Sequence, residues 1–129
     1  MTERDLTTGL MKFIALRYPG AVVIKHHGSR FSRAGQPDLS VSVNGQTVWF
    51  EIKYVRRGGH LLKELSMLQK LTCYRLAMAT EGKCFVLAYH EHPKKTELCV
   101  MATHDLAKSL ATHEGLDHAI VRRILDVAA

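Results

Sequence analysis

The dipeptide Asn44-Gly45 lies between two segments of alternating apolar and polar residues, and this arrangement constrains the fold more than any other sequence feature. Asn-Gly is a preferred centre of the type I′ turn, because both central residues of that turn need positive φ. The pattern therefore predicts a β-hairpin with strands over 39–43 and 46–53. Strand alternation places one set of side chains on a common apolar face, expected in the core: Leu39, Val41, Val43, Val48, Phe50 and Ile52.

The two-residue turn also fixes the register, which places Asp38 opposite Glu51 with Lys53 on the same polar face. Opposed Cβ atoms lie ~4.5–5.5 Å apart. Two negative charges at ~5 Å repel by about 3 kcal/mol at an effective dielectric of ~20. A divalent cation such as Mg²⁺, which takes hard oxygen ligands, would offset this repulsion. The alternatives are a solvated face on which Lys53 pairs with the acids, or a bulge near Pro37 that shifts the register.

Helical and strand patterns flank the hairpin on both sides. Apolar spacing predicts helices over 2–18, 61–80, 103–112 and 115–127. Short apolar runs predict further strands over 21–24, 83–89 and 96–101. The element order is then α-β-β-β-α-β-β-α-α, which indicates an α/β fold with a mixed sheet flanked by helices. A chain of 129 residues has the size of a single domain, spanning 1–129.

The charge of the chain is concentrated in its first half. Eighteen Lys and Arg against twelve Asp and Glu give a net charge of +6, and residues 1–59 carry nine basic but four acidic side chains. A localised basic surface is typical of proteins that bind polyanions such as nucleic acid. Basic charge that serves solubility alone is the alternative.

Several classes of protein are disfavoured by the sequence. No apolar run approaches the ~20 residues of a membrane span, so we expect no membrane partner. The charged N-terminal residues lead into no apolar segment, so we expect no signal peptide. Three widely spaced cysteines, Cys73, Cys84 and Cys99, are expected to be reduced thiols of a cytoplasmic protein.

The segment Gly35-Gln36-Pro37-Asp38, followed after twelve residues by Glu51-Ile52-Lys53, resembles the catalytic signature of the PD-(D/E)xK nuclease superfamily. That superfamily has a restriction-endonuclease-like core. The flanking elements resemble virus-type replication-repair nuclease (VRR-NUC) domains, which are relatives of archaeal Holliday junction resolvases. The resemblance covers about residues 3–90 and leaves 103–129 as a helical C-terminal extension.

The resemblance implies a metal-dependent DNA endonuclease that uses Mg²⁺ or Mn²⁺. The metal ligands it implies are Asp38, Glu51, the backbone carbonyl of Ile52 and Glu3 on the first helix. Lys53 would position or activate the attacking water, and Gln69 would match the family's glutamine on the helix after the motif. The family implies branched DNA, including four-way junctions, as substrate, and a homodimer. A phage or another mobile element as the carrier of the gene is also compatible with the resemblance.

Each of these residues has a structural alternative. Glu3 could be an acid favoured by the helix dipole, and Asp5 competes with it as the acid of the first helix. Gln69 could be a hydrogen-bonded amide of the core. We expect Trp49 to pack beneath a helix, although it could stack on a base. The DNA contacts that we predict could instead belong to solvated loops: Ser29, Arg30, Arg33, Arg56 and Arg57.

Other functions remain open on sequence grounds. The chain could cut flaps, single strands or nonspecific duplex, or could bind DNA without catalysis. It could also be an adaptor whose acidic residues form a solvated face.

Overall fold

Helices precede, separate and follow two runs of consecutive strands that form one sheet. The computed structural model describes residues 2–26, 35–91, 96–102, 109–114 and 118–128. The elements in chain order are α1 (Glu3–Arg17), β1 (Val22–Lys25), β2 (Leu39–Val43), β3 (Gln46–Val55), α2 (Leu61–Glu64), α3 (Met67–Ala79), β4 (Cys84–Glu91), β5 (Thr96–Ala102), β6 (Ser109–Glu114) and α4 (Ala119–Ala128).

Within the described residues, the sheet has six strands in the order β1-β2-β3-β4-β5-β6. Only the pairing of β3 with β4 is parallel, and the other pairings are antiparallel. A parallel pair needs a long crossover connection, and α2 and α3 supply it here. The predicted mixed sheet flanked by helices is therefore confirmed.

The hairpin of β2 and β3 has the predicted turn and register. Asn44 and Gly45 have φ angles of 50° and 80°, as a type I′ turn requires. Leu39 pairs with Phe50, and the same register runs back to the turn. β3 continues to Val55, two residues beyond its predicted end.

α1 and α4 cover one face of the sheet. Leu10 and Ile14 of α1, together with Val121 and Leu125 of α4, have no exposed surface. They pack on the apolar face of the hairpin, as the alternation predicts. α1, with 15 residues, is the longest helix in the described ranges. None of the helices there is long and apolar enough to cross a membrane.

α2 and α3 cover the opposite face. The buried apolar residues of this layer form two clusters: Val55, Leu61, Leu65, Val86 and Ala88 in one, and Cys73, Ala77 and Cys84 in the other. β3 alternates between the two layers. Phe50 and Ile52 contact the α1 layer, whereas Trp49 and Glu51 point towards α3.

The single helix predicted over 61–80 is wrong, because the chain breaks at Ser66. The Ser66 side chain accepts a hydrogen bond from the Gln69 backbone N–H at 3.0 Å, and the Gln69 side chain accepts one from the Ser66 N–H at 2.9 Å. This reciprocal pair is a capping box, which starts α3 as a separate helix.

The helix predicted over 103–112 is also wrong, because residues 109–114 form β6. Residues 103–108 and 115–117 lie outside the described part of the chain. Pairing with β6 satisfies the backbone groups that β5 would otherwise leave open at the sheet edge. This long-range pairing outweighs a weak local preference for helix. Of the helical extension over 103–129, only α4 is present in the described residues.

The cap of α3 leads to a stability prediction. Ser66→Ala removes the side-chain acceptor of the capping box, so the free energy of unfolding should fall by about 1 kcal/mol. Ser66→Thr keeps a hydroxyl acceptor and should retain most of the stability. Denaturant unfolding monitored by circular dichroism measures both variants, and an equal loss in the two would contradict a capping role.

Candidate active site

Asp38 is held at the entrance to β2 by contacts with both neighbouring strands. Its backbone oxygen accepts a hydrogen bond from the N–H of His26 at 2.8 Å. Its Oδ2 accepts one from the N–H of Ile52 at 2.8 Å. The preceding loop packs closely on α3: a Cβ added at Gly35, where φ is +79°, would lie 2.7 Å from Cγ of Leu68. The carboxylate is thus fixed beside the middle of β3.

Glu51 lies in the middle of β3 and is buried, with 2% of its surface exposed. Its Oε1 accepts a hydrogen bond from Nε2 of Gln69 at 3.4 Å. Its Oε2 is buried and has no hydrogen-bond partner among the described residues. An ionised carboxylate in such a place is costly unless something compensates its charge.

The pKa of Glu51 is raised well above its usual range. Burial is the largest cause, followed by repulsion from the charge of Asp38. Lys53 opposes the rise in this pKa. Without a cation, the protein therefore favours a protonated Glu51 beside Asp38. The charges of Asp38 and Lys53 both influence this protonation.

Gln69 connects Asp38 and Glu51, the acidic pair, to the start of α3. Its Oε1 accepts from the Ser66 N–H in the capping box, while its Nε2 faces Oε1 of Glu51. The cap therefore orients the amide so that its donor end faces the carboxylate. The sequence carries the signal for this arrangement, since Ser66 and Gln69 have capping-box spacing.

Glu3 and Asp5 occupy different positions on α1. Asp5 forms a capping box with Thr2, whose N–H donates to its Oδ2 at 2.9 Å. Glu3 reaches the sheet, where its Oε1 accepts from the N–H of Tyr54 at 3.2 Å. In the described part of the chain, no three His, Cys, Asp or Glu side chains form a group that could hold a metal ion. A metal-binding role for Glu3 stays a prediction.

The predicted DNA-binding residues fall into two groups. Arg56 and Arg57 are exposed in the loop after β3. The guanidinium carbon of Arg56 lies 5.8 Å from the centre of the Tyr54 ring. The other three predicted contacts lie outside the described residues: Ser29, Arg30 and Arg33.

The structure adds His26, the residue that follows β1, to the surroundings of the hairpin. Nε2 of His26 is 2.8 Å from Oγ of Ser40. The His26 ring stacks on Trp49 with centroids 5.1 Å apart. Burial lowers the pKa of His26. These contacts depend on the pairing of β1 with β2, which short-range sequence patterns do not reveal.

Comparisons with known proteins bear on the fold. No protein-family model matches the chain, and no curated protein matches it. A solved structure of Hjc, a Holliday junction resolvase from the archaeal hyperthermophile Archaeoglobus fulgidus, is similar to it with a TM-score of 0.50 and 19% sequence identity. The match covers 98% of this chain and 97% of that one. The chain therefore has a fold like that of a Holliday junction resolvase.

Proposed function

We propose that the protein is a metal-dependent DNA endonuclease with a PD-(D/E)xK core, acting on branched DNA. The observation that carries the proposal is the buried Glu51, whose Oε2 has no hydrogen-bond partner among the described residues and which lies beside Asp38. The resolvase-like fold supports the proposal, because the acidic pair lies within it.

The residues at the acidic pair fit a divalent cation. Two carboxylates that repel each other, one with an oxygen lacking any described donor, offer the hard oxygen ligands that Mg²⁺ and Mn²⁺ prefer. We assign Asp38, Glu51 and the backbone carbonyl of Ile52 as ligands, with Glu3 as a further candidate. When bound, such a cation polarises the phosphodiester and lowers the pKa of water.

Lys53 and Gln69 complete the site that we propose. Lys53 follows Glu51 by two residues on β3 and so has its side chain on the same face. Its ammonium group orients the attacking water and stabilises negative charge that develops on the phosphate. Gln69, held by the capping box, keeps the Glu51 carboxylate in position.

Positive charge near the site supports DNA as the substrate. Arg56 and Arg57 lie in the exposed loop that follows the strand bearing Glu51. We assign them, with Ser29, Arg30 and Arg33, to phosphate contacts. Such contacts place a strand without reading its sequence, which suits an enzyme that recognises the shape of a branch.

A homodimer is part of the proposal, because a four-way junction offers two equivalent strands to a two-fold symmetric enzyme. α3 has a row of exposed apolar side chains, the α3 stripe, at helical spacing: Met67, Leu71, Tyr74 and Met78. The stripe is uncharged and so can pack on its own copy across a two-fold axis. We assign the dimer interface to it.

Cleavage assays on a labelled four-way junction, a flap, a duplex and a single strand test the function. With Mg²⁺ or Mn²⁺, the wild type should cut the junction, and Asp38→Asn and Glu51→Gln should abolish cutting. Lys53→Ala should lower the rate by roughly 100-fold or more, because it removes a charge that stabilises the transition state.

Lys63→Ala is the control for the lysine, since Lys63 is exposed on α2. It should cut at the wild-type rate. Undiminished cutting by either acid variant would reject the site. Junction binding without cutting would instead identify a non-catalytic DNA-binding module.

The raised pKa of Glu51 predicts how stability depends on pH without divalent cations. Above pH ~4.5, the unfolded state loses the Glu51 proton while the folded state keeps it. The folded state therefore binds more protons, and stability falls as pH rises, by at most about 1.4 kcal/mol per pH unit. Glu51→Gln should flatten this dependence and be the more stable protein at pH 8.

Urea unfolding in EDTA between pH 5 and 8 measures this effect. Glu64→Gln, which changes an exposed acid of α2, should keep the pH dependence of the wild type. Mg²⁺ should stabilise the wild type and leave Glu51→Gln almost unchanged. The same pH dependence in wild type and Glu51→Gln would show that the pKa of Glu51 is not raised in the folded protein.

The proposed dimer interface predicts that a charge in the α3 stripe changes the oligomeric state. Leu71→Glu places a charge in the middle of the α3 stripe and should convert the dimer to a monomer in sedimentation velocity. Leu16→Glu makes the same change at a residue of α1 that is 84% exposed, and should leave the dimer intact. A monomeric wild type, or a dimeric Leu71→Glu, would reject this interface.

A further inference from the structure

A cavity of about 350 Å³ lies between the sheet and α3. Its lining includes Gln36, Trp49, Leu68, Thr72, Arg75 and Leu76. None of the described residues that line it is acidic. The cavity thus combines an aromatic ring and apolar side chains with an arginine and two neutral polar groups. Apolar and aromatic side chains with a few polar groups are the usual lining of a small-molecule site.

The cavity is built from the same three segments as the acidic pair. Gln36 precedes Asp38 by two residues, and Trp49 precedes Glu51 by two residues on the same face of β3. Thr72 lies almost one turn along α3 from the glutamine of the capping box. Two residues of a strand span about 7 Å, and neighbouring nucleotides of one strand rise about 3.4 Å. The cavity is therefore within reach of a nucleotide next to a phosphate held at the acidic pair.

The Trp49 ring is held in place by its neighbours. It stacks on His26, whose own ring nitrogen contacts Ser40, and Ser40 pairs with Trp49 across β2 and β3. The Trp49 side chain also packs against the cluster of Cys73, Ala77 and Cys84. Because the ring is already ordered, stacking on it costs little side-chain entropy.

We propose that this cavity receives one unpaired nucleobase of the DNA strand, next to the phosphate that is cut, with the base stacked on Trp49 and its edge contacted by Arg75. The inference rests on the proposed nuclease function and adds to it a subsite for a base. Every base has a π-face that can stack on an aromatic ring. The guanidinium fork of arginine donates to acceptors on base edges.

The proposal also gives a physical reason for a preference for branched DNA. Moving a base out of an intact duplex costs unstacking and unpairing energy, and that cost is least where the base is already unpaired. A branch point or a single-stranded end supplies such a base. A cavity that must be filled beside the cutting site would therefore favour these structures over plain duplex.

The base cavity and the α3 stripe use neighbouring sides of α3. Thr72 follows Leu71 by one position, which rotates it by ~100° about the helix axis, whereas Arg75 follows Leu71 by four positions and lies at the border of the stripe. A second copy packed on the stripe therefore leaves uncovered the side of the helix that bears Thr72, with Arg75 at its border.

The chain contains one tryptophan, so its intrinsic tryptophan fluorescence reports on Trp49 alone. We would titrate the full-length protein in EDTA with a four-way junction that has either ordinary or abasic nucleotides at the branch point. Anisotropy of a dye on the DNA measures binding independently. The ordinary junction should quench Trp49, whereas the abasic junction should bind about 5- to 100-fold more weakly and leave the emission unchanged at saturation.

Arg75→Ala and Arg123→Ala form a matched pair. Both remove one arginine charge, but Arg123 is exposed on α4, which packs on the opposite face of the sheet. Arg75→Ala should weaken binding of the ordinary junction by about tenfold and leave that of the abasic junction nearly unchanged. Arg123→Ala should leave the difference between the two junctions as it is in the wild type.

The outcomes separate this inference from the nuclease function on which it rests. Equal quenching by both junctions, or bound DNA without quenching, would overturn the base subsite while Mg²⁺-dependent cutting by the wild type upholds the nuclease. An equal loss of affinity of Arg75→Ala for both junctions would make Arg75 a phosphate contact and also overturn the subsite. An absence of any binding or cutting would overturn both proposals.

Discussion

The carboxylate of Glu51 is buried beside that of Asp38, and the loop before β2, the strand β3 and the helix α3 meet around the two acids. Burial of an acid next to another acid is unfavourable, because it removes hydration and adds repulsion. A core residue selected for stability alone would be apolar at this point of β3, as Phe50 and Ile52 are on the other face. The chain instead keeps an acid whose Oε2 meets no donor among the described residues. An unfavourable free energy of this kind, confined to one point of a sheet, is characteristic of functional sites.

The structure around the acidic pair restrains both acids. Asp38 is fixed by the N–H of Ile52 and by the close packing of Gly35 on α3, where a side chain larger than hydrogen would collide with Leu68. Glu51 is fixed by its strand and by Gln69, whose amide is itself held by the capping box. The break between α2 and α3 is therefore part of the site, because an uninterrupted helix would have no cap to orient this amide. The side chain of Gln69 therefore links the cap of α3 to the position of the Glu51 carboxylate.

The parts of this arrangement that the sequence predicted are those set by short-range rules. The Asn44-Gly45 turn determines the register from Val43 to Leu39 and so brings Asp38 near the middle of β3 without any knowledge of the rest of the fold. β6 was missed because its strand character comes from pairing with β5 rather than from its own residues. The cap at Ser66 was readable from its spacing, but a long apolar helical pattern concealed it. The position of His26 against Trp49 needed the pairing of β1 with β2, which no local pattern encodes. Trp49 packs beneath α3 as expected, yet its ring also lines a cavity.

The shared construction of the acidic pair and the cavity has a mechanistic consequence. Since the loop before β2, the strand β3 and the helix α3 each contribute to both, a shift of any one of them changes the distance between the cavity and the carboxylates. A base seated in the cavity would therefore place its phosphate at a distance set by the rigid spacing of β3, rather than by a mobile loop. In such an arrangement, the binding energy of the base would align the strand with the acids. The rate would then rise only when the strand has an unpaired base at the matching position. In the enzyme that we propose, selection for DNA shape would then arise at the catalytic step itself, even where the contacts to phosphate are the same for every DNA.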